Sequence, residues 1–249
     1  MTGRMRLDAL LVHKGLVESR EKARALILAG RVDINGRGAL KAGTVVDVAS
    51  DLRVLGPDHP WASRGGLKLA HALETFDIDV AGALALDIGA STGGFTDVLI
   101  QRGARRVIAI DVGHGQIHWK LRTDPRVTVI EGVNARHLMR ADLPDLGAGA
   151  DVVSIDVSFI SLGLIFPALP PLLAPAARVI ALVKPQFEAG RRDVGKRGVV
   201  TDPDVHQRVI ASVTSAAAAV GFERRGLTES PITGARGNKE FLMLLEARA

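Results

Sequence analysis

Leu84-Ala-Leu-Asp-Ile-Gly-Ala-Ser-Thr-Gly-Gly-Phe-Thr-Asp97 predicts a strand, a tight glycine-rich turn and a helix in succession. The apolar run from Leu84 to Ile88 fits a buried strand, and Phe95 to Arg102 fits an amphipathic helix. Glycines let a backbone approach a ligand closely, and the N–H groups at a helix start attract negative charge. The turn therefore predicts a site for a small charged cofactor.

The order of the glycines separates two classes of cofactor. A nicotinamide dinucleotide calls for G-x-G-x-x-G, whereas this turn is D-x-G-x-x-x-G-G from Asp87. The difference favours S-adenosylmethionine (SAM), whose methionine end needs room more than a phosphate cradle. A βα turn that binds nothing is the alternative. The candidate cofactor contacts in this stretch are Asp87, Gly89, Ala90, Ser91, Thr92, Gly93, Gly94 and Phe95.

Short apolar runs rich in β-formers recur along the chain, with helix-compatible segments between them. They lie at residues 84–88, 107–110, 127–130, 151–155, 178–183 and 241–245. This alternation predicts an α/β fold with a doubly wound, mostly parallel sheet, whose ligands bind at the carboxyl ends of the strands. Asp111 ends the second run, about 20 residues beyond the turn, where an acid usually holds ribose hydroxyls. Asn134, after the third run, either lies beside the adenine or caps a helix.

Residues 1–55 predict a separate small α+β domain. Arg6–Lys14 fits one helix, Ser19 is placed to cap a second that runs to Ala29, and Asn35-Gly36 fits a hairpin turn. Thr44–Val48 alternates as a strand does. A linker composition begins at Asp51, and residues 56–62 are predicted as the linker to a second domain over 63–249.

Composition narrows the classes of protein. The net charge of +5 lies within residues 1–68, because the other 20 basic and 20 acidic residues cancel. A local basic excess is typical of a surface that binds a polyanion, or merely of an arginine-rich domain. The absence of cysteine excludes thiolate metal sites, and we predict no metal. No signal peptide or apolar run of membrane-spanning length occurs, which predicts a cytoplasmic protein with no membrane partner.

The first domain resembles the S4 RNA-binding domain. The matching runs are Arg6-Leu-Asp-Ala-Leu-Leu, Ser19-Arg-Glu-Lys-Ala-Arg-Ala-Leu-Ile-Leu-Ala-Gly-Arg-Val and Ile34-Asn-Gly. In that family the second helix and the loop after it lie on RNA, which implies phosphate contacts by basic side chains. The alternative for any one of them is an ordinary solvated arginine. The candidates are Arg6, Arg20, Arg24, Arg31, Arg37 and, from the second domain, Arg64.

Four charged side chains are predicted to lie close together at the carboxyl-end edge of the sheet. Lys68 lies near a helix start, where a cation opposes the helix dipole, and Asp156 and Lys184 follow strands. Glu240 precedes the last strand. Because unpaired charges at the end of an apolar strand are costly, we expect pairing among these groups. Plain salt bridges at a strand edge are the alternative to catalysis.

The whole chain resembles the TlyA family, in which an S4 domain precedes an FtsJ-like methyltransferase domain. The additional matching runs are Ser63-Arg-Gly-Gly-Leu-Lys-Leu, Asp156-Val-Ser-Phe-Ile-Ser, Val183-Lys-Pro-Gln-Phe-Glu and Gly237-Asn-Lys-Glu-Phe. The resemblance implies a Rossmann-like class I SAM-dependent enzyme that methylates ribose 2′-hydroxyls of ribosomal RNA within ribosomal subunits. The target would be a cytidine in the large subunit and, in some members, one in the small subunit. Some members were named hemolysins.

The resemblance also implies a Lys-Asp-Lys-Glu catalytic tetrad at Lys68, Asp156, Lys184 and Glu240. A ribose hydroxyl is a weak acid, so its attack needs a base or a strong orienting group. Lysine serves as a base only when a neighbouring cation or burial lowers its pKa. We assign Lys184 as the base or orienting group and Lys68 as its electrostatic partner. Asp156 and Glu240 would orient the two amines.

Other features leave alternatives open. The basic segment 187–199 is interpreted as a mobile lid that touches RNA, or as a solvated loop. Phe159 or Phe187 is a candidate for stacking on an exposed base, but we expect each of them to pack in the core. A base methyltransferase is disfavoured because no Asp-Pro-Pro run follows the fourth strand. A non-catalytic ribosome assembly factor and a membrane-active hemolysin are the other classes considered.

Overall fold

The computed structural model describes residues 3–28, 30–38, 41–55 and 59–247. The chain divides into two compact units, Met1–Pro60 and Trp61–Ala249. The linker predicted over residues 56–62 spans that division, and its residues 56–58 lie outside the described ranges, as does Ala29. None of the helices in the described ranges combines the length and apolar character needed to cross a bilayer.

The first unit has the α+β character that its sequence predicts. Ser19 Oγ accepts a hydrogen bond from the Lys22 backbone N–H (3.2 Å), which confirms the predicted cap. Asn35 and Gly36 have φ of 51° and 81°, as a two-residue hairpin turn requires. Its elements are β1 (Arg4–Arg6), α1 (Leu7–His13), α2 (Arg20–Leu28), β2 (Val32–Ile34), β3 (Arg37–Gly38), β4 (Val45–Asp47) and β5 (Leu52–Val54).

Two short strands of this unit were not predicted. β1 pairs antiparallel with β4, and β5 pairs antiparallel with β2. The interpretation of a linker composition from Asp51 is therefore wrong for Leu52–Val54. Strands of three residues carry too little alternation to be recognised, and β5 also adjoins a proline- and glycine-rich segment.

The second unit is an α/β fold built on one large sheet. In the described part of the chain the sheet has seven strands in the order β11-β12-β10-β9-β6-β7-β8. In that order, neighbouring strands from β10 to β8 pair in parallel. β12 pairs antiparallel with β10, and β11 pairs antiparallel with β12. The elements are α3 (Gly65–Thr75), β6 (Leu84–Ile88), α4 (Gly94–Gln101), β7 (Arg106–Asp111), α5 (Trp119–Arg122), β8 (Val127–Glu131), β9 (Ala150–Ile155), β10 (Leu173–Val183), α6 (Pro185–Glu188), α7 (Pro203–Ala219), β11 (Phe222–Glu229) and β12 (Phe241–Ala247).

All six predicted strands of this unit are present, and one further strand was missed. β11 is an edge strand with mostly exposed, charged side chains, so it has no apolar run to reveal it. The segment between β9 and β10 contains three short 3₁₀ helices instead of an α-helix, and the segment between β8 and β9 contains two. In the segment between β9 and β10, Pro167, Pro170 and Pro171 interrupt α-helical hydrogen bonding.

The centre of the sheet is buried on both faces. Leu84, Leu86 and Ile88 belong to one apolar cluster, whereas Ala85 between them belongs to the other. β6 is therefore covered above and below, as a central parallel strand should be. Since β6, β7, β9 and β10 run in parallel, their carboxyl ends meet at one edge, and the loops that follow them lie together there.

Candidate active site

The glycine turn after β6 needs glycine for a geometric reason. Gly89 has φ of 87°, and a Cβ atom there would lie 2.6 Å from the Asp156 carbonyl oxygen. Gly93 has φ of 91° and precedes α4, and a Cβ there would overlap Leu121. The turn is thus packed against the loop after β9 at Gly89 and against Leu121 of α5 at Gly93.

Asp87, predicted as a cofactor contact, has its side chain beneath the turn. Its carboxylate accepts hydrogen bonds from Thr96 Oγ1 (2.6 Å) and Ser154 Oγ (2.9 Å) and is fully buried. Burial raises the pKa of Asp87 to about 6, although those two hydroxyls favour the charged form. The side chain therefore fixes the start of α4 to β9, and it does not line the cavities described below.

A cavity of about 500 Å³, here called the Asp111 cavity, lies beside the turn. Asp111 Oδ2 accepts from the Ser91 N–H (2.8 Å), and Oδ1 accepts from the Gly113 N–H (2.7 Å). The carboxylate is held rigidly with lone pairs remaining, since each carboxylate oxygen can accept more than one hydrogen bond. The lining includes Gly89, Ser91, Ile110, Asp111, Gln116, Val133, Asn134, Phe159, Ile160 and Ile165.

Asn134 caps a helix, which is one of the two interpretations of its role, and it also faces a cavity. Its Oδ1 accepts from the Arg136 N–H (3.0 Å), which caps a 3₁₀ helix, and the residue also lines the Asp111 cavity. An oriented carboxylate on one side and apolar walls on the other suit a nucleoside, whose ribose is polar and whose base is flat and apolar. The residues present therefore fit the nucleoside part of SAM.

A second cavity of about 260 Å³, here called the lysine cavity, adjoins the turn. Lys68, Asp156 and Lys184 line it together with Ser158. The turn contributes backbone and side chains to the same cavity through Gly89, Ala90, Ser91, Thr92, Gly94 and Phe95. The predicted cofactor stretch and both predicted lysines thus border one space.

The four charged groups form two separate pairs, which confirms the expected pairing. Lys68 Nζ lies 2.5 Å from Glu240 Oε2, and Lys184 Nζ lies 2.6 Å from Asp156 Oδ1. Ser158 Oγ accepts a further hydrogen bond from Lys184 Nζ (2.8 Å). The side chain of Glu240 is 2% exposed and that of Asp156 is 22% exposed. A buried carboxylate thus stabilises the cation near the start of α3, which the helix dipole alone would disfavour.

Phe159 is exposed, so the expectation that it packs in the core is wrong. Its side chain is 90% exposed, and its φ of 63° is unusual for a bulky residue. The ring contacts that of Phe187, with centroids 4.9 Å apart. Lys184 Nζ lies 5.7 Å from the centre of the Phe187 ring. An aromatic face is therefore presented at the rim of the Asp111 cavity, close to the lysine.

Three candidate RNA-binding arginines converge on a residue that sequence reasoning missed. Arg6 Nε, Arg20 Nη2 and Arg24 Nε lie 3.1, 3.2 and 3.1 Å from the carboxylate of Asp8, which is fully buried. Hydrogen bonds from the Arg6 guanidinium, joined by those from the other two, lower the pKa of Asp8 well below its usual range. Asp8 therefore fixes three half-exposed guanidinium groups on one surface.

The other basic candidates are held less tightly. Arg31 donates to the Leu55 carbonyl through Nε (3.2 Å) and Nη2 (3.1 Å), while Arg37 in β3 and Arg64 before α3 are exposed. In the predicted lid, the basic side chains of Arg191, Arg192, Lys196 and Arg197 are exposed. Near its end, that segment is attached to the loop between β11 and β12, because Arg236 donates a hydrogen bond to the Arg197 carbonyl (2.9 Å).

Comparisons with known proteins agree with this geometry. The model of the FtsJ-like methyltransferase family matches residues 61–247, and that of the S4 domain matches residues 5–52. The 16S/23S rRNA (cytidine-2′-O)-methyltransferase TlyA of Mycobacterium tuberculosis is 46% identical over 250 residues, covering 100% of this chain and 92% of that protein. A solved structure from Streptococcus thermophilus is 45% identical with a TM-score of 0.78, covering 98% of this chain and 89% of that one.

The fold is also that of more distant methyltransferases. A SAM-dependent methyltransferase structure from Mesorhizobium loti shares it at 16% identity, with a TM-score of 0.53 over 72% of this chain and 96% of that one. The family match over residues 61–247 places the chain in the class of SAM-dependent methyltransferases, and the sheet, the glycine turn and the two adjoining cavities agree with that class. Within that class, the chain belongs to the FtsJ-like methyltransferase family and carries an S4 domain before it.

Proposed function

We propose that this protein transfers a methyl group from SAM to a ribose 2′-hydroxyl of ribosomal RNA, at a cytidine. The observation that carries the proposal is that Lys68 and Lys184, each paired with its own carboxylate, border the same cavity as the glycine turn. The M. tuberculosis relative is named for 2′-O-methylation of cytidine in 16S and 23S rRNA. We expect this chain to act likewise, in the cytoplasm and on ribosomal subunits.

The cofactor would lie across the two cavities. SAM supplies a methyl group activated by a sulfonium centre. Asp111 would accept hydrogen bonds from the ribose hydroxyls of the cofactor, and Asn134 would face its adenine. The turn would meet the methionine end, through Gly89, Ala90, Ser91, Thr92, Gly94 and Phe95 as contacts and through Gly93 and Asp87 as supports.

The residues of this chain would prepare the hydroxyl for attack. Lys184 would bind the 2′-hydroxyl as base or orienting group, because Asp156 and Ser158 fix the position of its amine beside the cavity. Lys68, held by Glu240, would add positive charge next to the developing alkoxide. Positioning of this kind is the main requirement when the nucleophile is a weak one.

RNA would be held by charge and by stacking. Arg6, Arg20 and Arg24, fixed by Asp8, would contact phosphates, as would Arg31, Arg37 and Arg64. Phe159 would stack on the base of the target nucleotide, since exposed aromatic rings are the usual platforms for unpaired bases. The S4-like segment over residues 1–55 would thus bind RNA while residues 63–249 carry the reaction.

The test is transfer of labelled methyl from SAM to ribosomal subunits that lack the modification, followed by mapping of the modified ribose. Lys184→Ala is compared with the wild type and with Lys239→Ala, a control lysine paired with Glu229 on the surface. We expect wild type and control to label a 2′-oxygen, and Lys184→Ala to lose roughly 10²–10⁴-fold in rate while still binding SAM. Full activity of Lys184→Ala would refute its role. SAM binding without labelling by the wild type would instead indicate an assembly factor.

A further inference from the structure

Glu188, at the end of α6, ties together two loops of the site. Its Oε2 accepts a hydrogen bond from Ser161 Oγ (2.6 Å), and its Oε1 accepts one from the Leu162 backbone N–H (2.8 Å). Glu188 lies four residues after Lys184, whereas Ser161 and Leu162 end the loop that follows β9. One carboxylate therefore spans from the segment after β10 to the loop after β9.

The same loop is attached at its other end by Lys184. Asp156 at the beginning of the loop pairs with that amine, and Ser158 accepts a hydrogen bond from it. The loop of residues 156–162 is thus bound to the segment 184–188 at two points. Lys184 lines the lysine cavity, where we propose that the reaction occurs. Glu188 lines neither of the two cavities, so its contacts with Ser161 and Leu162 attach the loop without touching a bound substrate.

Between the two attachments the loop is strained. Phe159 has a left-handed backbone with φ of 63°, a conformation that costs a bulky residue about 1–3 kcal/mol and persists only where the surroundings enforce it. Its ring leans on Phe187, the residue before Glu188. Without an attachment at Ser161 and Leu162, the loop could relax this residue and move Ser158 and Asp156 with it.

The environment of Glu188 also differs from that of a surface glutamate. Its side chain is partly buried, and this burial raises the pKa of the carboxyl group, while the hydrogen bonds from Leu162 and Ser161 oppose the rise. A carboxylate held in a partly buried place is costly unless its hydrogen bonds are made. Both oxygens are used, and both bonds go to the same loop.

We propose that Glu188 is a positioning residue for methyl transfer, which holds the loop 156–162 in register with the segment that carries Lys184. This rests on the proposed function, because the loop matters through Asp156, Ser158 and Phe159. Removing the attachment displaces these groups, and a displacement of about 1 Å at a reacting centre costs up to roughly 100-fold in rate. The effect falls mainly on kcat, with a smaller rise in KM for RNA through Phe159.

The experiment compares Glu188→Ala, Glu188→Gln and the control Glu223→Gln, a surface glutamate of β11 that pairs with Arg225 instead. Each full-length variant is assayed for kcat and RNA KM, and for amide hydrogen exchange in peptides covering residues 156–165. We expect Glu188→Ala to lose roughly 10- to 100-fold in kcat and to exchange faster there. Glu188→Gln keeps the shape and an acceptor for the Leu162 N–H, so it should recover most of the rate. Glu223→Gln should match the wild type.

The outcomes separate this inference from the proposed function. Wild-type kcat in Glu188→Ala, unchanged exchange over residues 156–165, or equal losses in Glu188→Ala and Glu188→Gln would each overturn the inference. If the wild type itself labels no RNA, the proposed function fails, and the exchange experiment still decides whether Glu188 holds the loop. Should Glu188→Ala not fold, Ser161→Ala removes one of the two bonds, together with the hydrogen bond that Ser161 Oγ accepts from the Gly163 N–H (3.2 Å), and a smaller loss of kcat with faster local exchange is expected.

Discussion

The Lys68–Glu240 pair allows a quantitative test of whether the tetrad is more than a set of salt bridges. Lys68 Nζ and Glu240 Oε2 are 2.5 Å apart, and the two side chains are 10% and 2% exposed. Breaking a buried ion pair by removing one partner costs about 3–5 kcal/mol, because the other charge stays buried without compensation. Lys68→Met should therefore lower the free energy of unfolding by about that amount, since Gln186 Nε2 (3.2 Å) is a weaker partner for Glu240.

Glu240→Gln should cost less, about 1–3 kcal/mol, because Lys68 borders a cavity that water can enter. In the double variant Lys68→Met/Glu240→Gln no charge is left alone. We therefore expect its loss to be smaller than the sum of the single losses by about 1–3 kcal/mol. Additive losses would refute the inference that the two groups stabilise each other.

The assay is urea unfolding of the full chain, followed by tryptophan fluorescence. Both tryptophans, Trp61 and Trp119, belong to the second unit, so their signal reports on that unit. Trp61 also packs on α3 itself, since a Cβ at Gly66 would lie 2.5 Å from Trp61 Cβ. Methyl transfer by the same variants decides the functional question. If the pair were only structural, the double variant would recover activity along with stability, whereas a role in the reaction leaves it inactive.

Three further predictions follow from other contacts. Arginine contacts lower the pKa of Asp8, so its stabilising effect is complete above the unfolded value of about 3.9 and is lost as pH falls below it. Acid unfolding of the first unit, followed by NMR, should show this loss of stability. Asp8→Asn should abolish the pH dependence and lower the free energy of unfolding by about 1.5–3 kcal/mol at neutral pH. Phe159→Ala should weaken RNA binding by roughly 5- to 150-fold in titrations, without loss of stability, because the ring is exposed. Gly89→Ala should abolish SAM binding in calorimetry because its Cβ would clash with Asp156, whereas Gly221→Ala, with similar φ but no neighbour within 4 Å, should bind normally.

The parts of the structure that the sequence predicts well are those with a strong local pattern. β6 is apolar at every position but Asp87 and is followed by crowded glycines, so its place at the centre of the sheet and the turn after it could be inferred. The charged residues at the strand ends could be placed at one edge because parallel strands share a direction. Lys68 stood out because its charge is opposite to what the helix start favours.

The parts that were missed depend on tertiary contacts that leave no local pattern. Asp8 is one acid among many in the sequence, and only the packing of α1 against α2 brings Arg20 and Arg24 to it. Phe159 looked like a core residue because aromatic side chains are usually buried. Its exposure follows from a left-handed backbone conformation in the loop after β9. A phenylalanine in the sequence gives no sign of that conformation.

The division of the tetrad into two pairs bears on which group meets the substrate. Glu240 lies behind Lys68 and outside the lysine cavity, so that pair can act on a substrate only through the lysine. Lys184 and Asp156 both border the cavity, so a hydroxyl placed there meets an amine and a carboxylate together. A hydroxyl that must be aimed and must also lose a proton needs a donor and an acceptor side by side. This supports Lys184, with Asp156 beside it, as the place where the ribose hydroxyl binds, and Lys68, whose amine is held by Glu240, as a source of positive charge at the same cavity.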